Sequence, residues 1–99
     1  MPAYLIVNYN VENPELYASY SAAAGPVMKI GKACKLVAFD PASDRLEGET
    51  AGHQTIILQF ESKEEARALY ESDEYQALIP KRHAATSHHF AILVNGVPG

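Results

Sequence analysis

Ninety-nine residues with an apolar share of 47% and a charged share of 20% suit one domain built on a single modest core. A net charge of −4 argues against nucleic acid or an anionic membrane as main partner, since neither would meet a basic stripe. One cysteine, Cys34, excludes an internal disulfide and suits a reducing compartment. No basic leader, small-residue cleavage site or apolar run of roughly 18 residues is present. A cytoplasmic protein is expected.

Taken in order, Ala3–Val11 is rich in β-branched and aromatic residues and reads as a strand. Leu5, Val7, Tyr9 and Val11 lie on one face, and Tyr4, Ile6, Asn8 and Asn10 on the other. Asn13-Pro14 opens a helix, with Asn13 as N-cap and Pro14 where a missing N–H costs nothing. Its apolar stripe is Tyr17, Tyr20, Ala24, Val27 and Ile30. Gly25-Pro26 is expected to kink or interrupt it, and Gly31 to stop it. Ala33–Phe39 is the second strand, with Cys34, Leu36 and Ala38 alternating. Asp40–Asp44 is turn chemistry, and Arg45–Glu49 reads as a short extended piece.

His53–Phe60 is the third main strand, and a helical unit with two start signals follows. Ser62 and Glu65 have the spacing of a reciprocal capping box, and Ser72 with Asp73 and Glu74 repeats the signal ten residues on. The second helix is therefore expected to break near Ser72. Pro80 is expected to kink or end its last part, and His88–Val94 is the final strand.

The order β-α-β-β-α-β is the split βαβ, ferredoxin-like arrangement of the α+β class. It is a four-stranded antiparallel sheet with both helices on one face. The opposite face should then read polar, yet both faces of the first and last strands carry apolar residues: Leu5, Val7 and Tyr9 against Tyr4 and Ile6, and Phe90, Ile92 and Val94 against Ala91 and Leu93. At roughly 25 cal/mol per Å2, burying such a face is worth many kcal/mol. A second copy packed sheet on sheet is the simplest cover, so a homodimer through the open sheet face is expected.

The N-terminal Met1–Val7, the Asn13–Tyr20 segment, Leu46-Glu47-Gly48, Phe60–Ala66, Tyr70–Leu78 and Arg82–Ser87 resemble the domain-of-unknown-function family 1330. The resemblance covers nearly the whole chain and implies a dimeric α+β barrel, without implying any common activity. The chain departs from that pattern at Lys32–Lys35, where a Gly-Gly pair is usual, and at Asp40–Asp44, where a Gly-rich turn is commoner. Among other dimeric α+β barrels, the haem-degrading monooxygenases resemble this chain around Asn8. The same comparison puts Ile79 and Leu69 at the positions of their haem-ligating histidine and pocket tryptophan. Haem degradation by that mechanism is not expected, and no cofactor is.

The chemistry-bearing residues are few. His83, His88 and His89 fall within seven residues, but no metal-ligand spacing joins them, so no metal site is expected. Six tyrosines and no tryptophan suggest a cavity with an apolar body and several hydroxyls. Arg82 with His83 has the chemistry to hold an anion at its mouth. Cys34 reads as a buried inert thiol. Glu47, Glu49 and Asp44 in a loop are weak candidates for acid–base work.

The expected function is the binding of a small apolar or aromatic ligand between sheet and helices. The alternative is a cofactor-independent monooxygenase or isomerase acting on a small aromatic or carboxylic compound. Candidate ligand-binding residues are Asn8, Tyr17, Tyr20, His53, Arg82 and His83; catalytic residues are not assigned. Three or more of the six around one closed cavity would favour the enzyme.

Overall fold

A computed structural model describes residues 1–98. Strand β1 spans Ala3–Val11, helix α1 Pro14–Met28, β2 Lys35–Asp40 and β3 Gln54–Phe60. Three helical pieces follow, α2 Lys63–Tyr70, α3 Asp73–Gln76 and α4 Ile79–Ala85, before β4 Thr86–Asn95 closes the described chain. The four strands form one sheet in the order β2-β3-β1-β4, and every neighbouring pair is antiparallel. This is the ferredoxin-like fold that the element order predicts. Among the described residues no helix is long and apolar enough to cross a membrane.

Local chemistry sets the helix starts. Asn13 caps α1 by accepting from the Leu16 N–H at 3.1 Å, and Ser62 caps α2 through the Glu65 N–H at 3.2 Å. Only the serine half of the expected capping box forms. At the break, the Ser72 hydroxyl donates to the Leu69 carbonyl at 2.7 Å and accepts from the Tyr75 N–H at 3.3 Å. One side chain thus closes α2 and opens α3, which is why the chain turns there.

Both interior prolines behave differently from the sequence expectation. Helix α1 continues through Gly25-Pro26 to Met28 and stops at Lys29, which takes the left-handed conformation at φ 55°. Pro26 leaves the Ala22 carbonyl without its helical donor, but only Val27 and Met28 follow it in α1, so almost no helix lies beyond the proline to be kinked. Pro80 begins a helix instead of ending one, because it occupies the first turn of α4. Arg45–Glu49 forms no strand.

Two bulges re-aim side chains. Leu36 opposes Leu58 while Ala38 opposes Ile57, so Val37 is an extra residue. Phe39 then joins Leu36 on the helix-facing side, where strict alternation would have separated them. In β4 the pairing slips between Asn8 opposite Phe90 and Asn10 opposite Ser87, with His88 at φ 51°. His88 and His89 therefore do not simply alternate between faces.

The core lies between the sheet and the helices. Leu5, Val7 and Tyr9 of β1, Leu58 and Phe60 of β3, Tyr17, Tyr20, Ala24 and Met28 of α1, Ala66, Tyr75 and Ala85 form one buried cluster. By the same registers Tyr4, Ile6, Ile57, Phe90, Ile92 and Val94 face the other way. There Phe90 is 44% and Ile92 48% exposed, so this face carries an exposed apolar patch on β4 beside Ile6 of β1.

Candidate functional site

Helix α1 turns Ser21, Ala24 and Gly25 toward the sheet. These residues are too small to reach Leu36 and Phe39 on β2, so a space of about 230 Å3 stays open between α1 and the sheet. Its floor is Leu5, Val7, Ile56 and Leu58, its mouth lies at the half-exposed Leu36 and Phe39, and its inner end is tyrosine. Such an apolar body with convergent polar groups is the usual form of a small-ligand site.

The inner end is a connected set of phenols. The Tyr9 and Tyr17 hydroxyls lie 2.7 Å apart, and the Gln54 amide donates to the Tyr17 oxygen at 2.8 Å. Beside them the Tyr20 and Tyr75 hydroxyls lie 2.6 Å apart, and Arg82 donates to the Tyr75 oxygen at 2.9 Å. The rings pack in sequence, with centroids 5.7 Å apart for Tyr9–Tyr17, 5.6 Å for Tyr17–Tyr20 and 6.4 Å for Tyr20–Tyr75.

Burial pushes all four phenols above the ordinary tyrosine range. They stay protonated, and therefore remain hydrogen-bond donors, across the physiological range.

Arg82 carries the site's charge. It is 3% exposed, yet the one ion pair among the described residues joins Arg67 and Glu71 on the surface. Its compensation is the Tyr75, Tyr70 and Tyr20 oxygens and the face of the Tyr9 ring 5.8 Å away, while Nε has no hydrogen-bond partner. Burial disfavours the charge, but the Tyr75, Tyr70 and Tyr20 oxygens outweigh it and the guanidinium stays ionised. Buried cations ordinarily sit beside carboxylates; this one sits behind phenols.

The six sequence candidates fall in different places. Tyr17 and Tyr20 line the cavity, and Arg82 stands one layer behind it. Asn8 lies on the opposite sheet face, where its amide donates to the Gly52 carbonyl and Thr55 hydroxyl and accepts from the Gly52 N–H. His53 is exposed at the start of β3 and accepts from the Val11 N–H. His83 is exposed on α4, with its ring 4.1 Å from that of His89.

Sequence reasoning passed over Tyr9, Gln54 and Tyr75 as site residues. Gln54 carried a usable signal, being polar on the Ile56–Leu58 face of its strand. Cys34 is buried, donates to the Met28 carbonyl at 3.4 Å and has its thiol pushed up by desolvation, the reverse of an activated nucleophile. Among the described residues no three His, Cys, Asp or Glu side chains gather as metal ligands.

The His83–His89 contact has a measurable consequence. Partial desolvation of the His83 ring, then the charges of His89 and Arg82, lower its pKa below 6.5. The unfolded chain then holds more protons than the fold just below pH 6.5, so stability falls as pH drops through that window. Denaturation midpoints measured from pH 7.5 to 5 should decline, and His83→Gln should flatten part of that decline. An unchanged slope in the variant would assign the effect elsewhere.

The family model for the Domain of unknown function (DUF1330) matches residues 2–97. The chain belongs to this family. No curated protein is similar enough to match it. A protein of unknown function from Rhodopseudomonas palustris superimposes with a TM-score of 0.76 at 18% identity, over 99% of this chain and 84% of that one. The cofactor-independent oxygenase SnoaB from Streptomyces nogalater gives 0.68 at 10% identity, over 99% and 95%. A dimeric ferredoxin-like protein of unknown function from Thermobifida fusca gives 0.64 at 12% identity, over 97% and 92%. At these identities the DUF1330 chain shares a fold with all three, and the fold leaves activity open.

Proposed function

We propose that this DUF1330 chain is a single-domain homodimer that holds a small aromatic ligand in the space between α1 and the sheet. The observation that carries the reading is the 230 Å3 cavity itself, lined by apolar side chains and by four tyrosines whose hydroxyls are joined in hydrogen-bonded pairs. Its volume suits one or two fused rings, and ring-on-ring packing against Tyr17 and Tyr20 would orient them.

The oxygenase or isomerase alternative is less well served. Its acid–base work calls for a group that exchanges a proton near neutrality. His53 and His83 are outside the cavity, and the phenols inside are held protonated. Of the six sequence candidates, Tyr17 and Tyr20 line the space, short of the three that would favour an enzyme.

Calorimetric titration with 1-naphthol should show one site per protomer with a Kd on the order of 0.1 mM, the affinity that about a dozen non-hydrogen atoms ordinarily supply. Ala24→Leu, which extends a side chain into the cavity from α1, should weaken binding tenfold or more while the circular dichroism stays native. Equal affinity in the variant would move the ligand to another site.

The dimer reading rests on the uncovered apolar face. Ile92 stands beside Ile6 at the centre of that face, and Ile6 in turn pairs with Ile57. Ile92→Lys should weaken association at least tenfold, giving a 10.8 kDa species by light scattering at micromolar concentration. A wild-type protein that is already monomeric there would remove the dimer from the proposal.

A further inference from the structure

The hydroxyls at the inner end of the cavity can be counted as donors and acceptors. Each of the two tyrosine pairs shares one hydrogen bond, which uses one of its two protons. The other proton of each pair has no acceptor among the described residues. Both pairs also receive an outside donor, Gln54 into Tyr17 and Arg82 into Tyr75. A guanidinium can only donate, so the Tyr75 oxygen is an acceptor toward Arg82. The cooperative order is then Arg82 to Tyr75 to Tyr20, which leaves the Tyr20 proton for the cavity. The site offers two spare O–H groups and a buried cation, and no carboxylate.

From this imbalance we propose that the cavity selects aromatic ligands carrying an anionic oxygen, and that it takes a phenol as its phenolate. The inference rests on the aromatic-ligand reading above and deepens it by naming the ligand's ionisation state. The phenolate oxygen accepts from Tyr20, with a second donor available from the Tyr9–Tyr17 pair. The Arg82 charge is relayed through Tyr75, so Arg82 is a positioning residue that touches Tyr75 and not the ligand. The phenol's proton goes to bulk water, so between the bound and the free phenol's pKa values binding releases a fraction of a proton per ligand, and well below both it releases none. The orphaned Nε of Arg82 and the lack of any acidic partner have the same origin: the cluster's compensating charge arrives with the ligand.

The test uses 4-nitrophenol, whose phenolate absorbs in the visible, beside 4-nitroanisole, in which that oxygen is methylated. Absorbance titration from pH 5 to 9 with saturating protein should show bound 4-nitrophenol ionising about one pH unit below the free compound. The phenolate should then bind about tenfold tighter than the protonated phenol, with 4-nitroanisole standing in for the protonated form. In Tyr20→Phe and in Arg82→Met, taken separately in case one variant fails to fold, this tenfold preference should shrink to about twofold. An unshifted ionisation on the wild-type protein overturns the proposal while leaving the aromatic site standing, provided 4-nitroanisole binds. A shift that survives in both variants also overturns it. Failure of both probes to bind removes the aromatic site together with this inference.

Discussion

Tyr75→Phe should destabilise the protein by about 2–4 kcal/mol, while Arg82→Met should change stability by about 1 kcal/mol or less in either direction. The ring stays in the first variant, so no cavity opens, and the whole effect comes from one oxygen. That oxygen accepts a 2.9 Å hydrogen bond from the Arg82 guanidinium, whose Nε has no partner. Without it a guanidinium that is 3% exposed loses that acceptor and keeps the Tyr70 and Tyr20 oxygens and the face of Tyr9. The Tyr20 hydroxyl loses its partner at the same stroke.

Arg82→Met removes the charge itself, keeps most of the stem's packing and leaves Tyr75 bonded to Tyr20. The double variant should therefore be more stable than Tyr75→Phe alone, with a coupling of about 1–3 kcal/mol. Urea denaturation at one fixed protein concentration measures all three, the fixed concentration keeping any dimer contribution constant. Equal single costs that simply add would mean the phenol does not compensate the cation.

The features legible in the sequence were those decided within a few residues. Asn13, Ser62 and Ser72 each accept from an N–H three positions on, and that contact needs no knowledge of the fold. The alternation in Ala3–Val11 marked its buried face for a similarly local reason. The cavity was not legible, because it depends on what fails to meet. Ala24 and Gly25 are small residues on an ordinary helix until β2 is placed opposite them. A bulge at Val37 then brings Phe39 to the same side.

The phenol cluster was half visible. Tyr17 and Tyr20 share a helix face, but their partners Tyr9, Gln54 and Tyr75 come from three other elements, and Tyr20 and Tyr75 are 55 positions apart. Arg82 and His83 are neighbours in sequence and looked like one anion clamp. On a short helix they diverge, one into the core and one toward solvent, since consecutive helical residues do not share a face.

Gly52→Ala should cost about 3 kcal/mol or more, whereas Gly25→Ala should be neutral or stabilising by up to about 1 kcal/mol. No left-handed backbone is involved at position 52; the constraint is contact. A Cβ there would overlap the Tyr9 carbonyl carbon and stand 2.6 Å from the Tyr9 Cα and the Asn10 nitrogen. These are backbone atoms of β1, a strand held on both sides by β3 and β4, and they cannot swing away as a side chain would.

Relief requires the 52 segment to lift. Lifting it breaks the bonds from the Asn8 amide to both polar groups of Gly52, at 2.6 and 3.1 Å, inside a buried pocket. Asn8 would then be buried with its oxygen unpaired, a penalty of about 1–3 kcal/mol on top of the overlap. At position 25 a Cβ meets nothing within 4 Å, and alanine restores helix propensity near the end of α1. Guanidinium denaturation of the two variants separates the explanations. Equal effects would mean that helix propensity and loop entropy govern both sites. A large loss at Gly52, partly relieved by Asn8→Ala in the same chain, would fix the clamp between β1 and the loop before β3 as its cause.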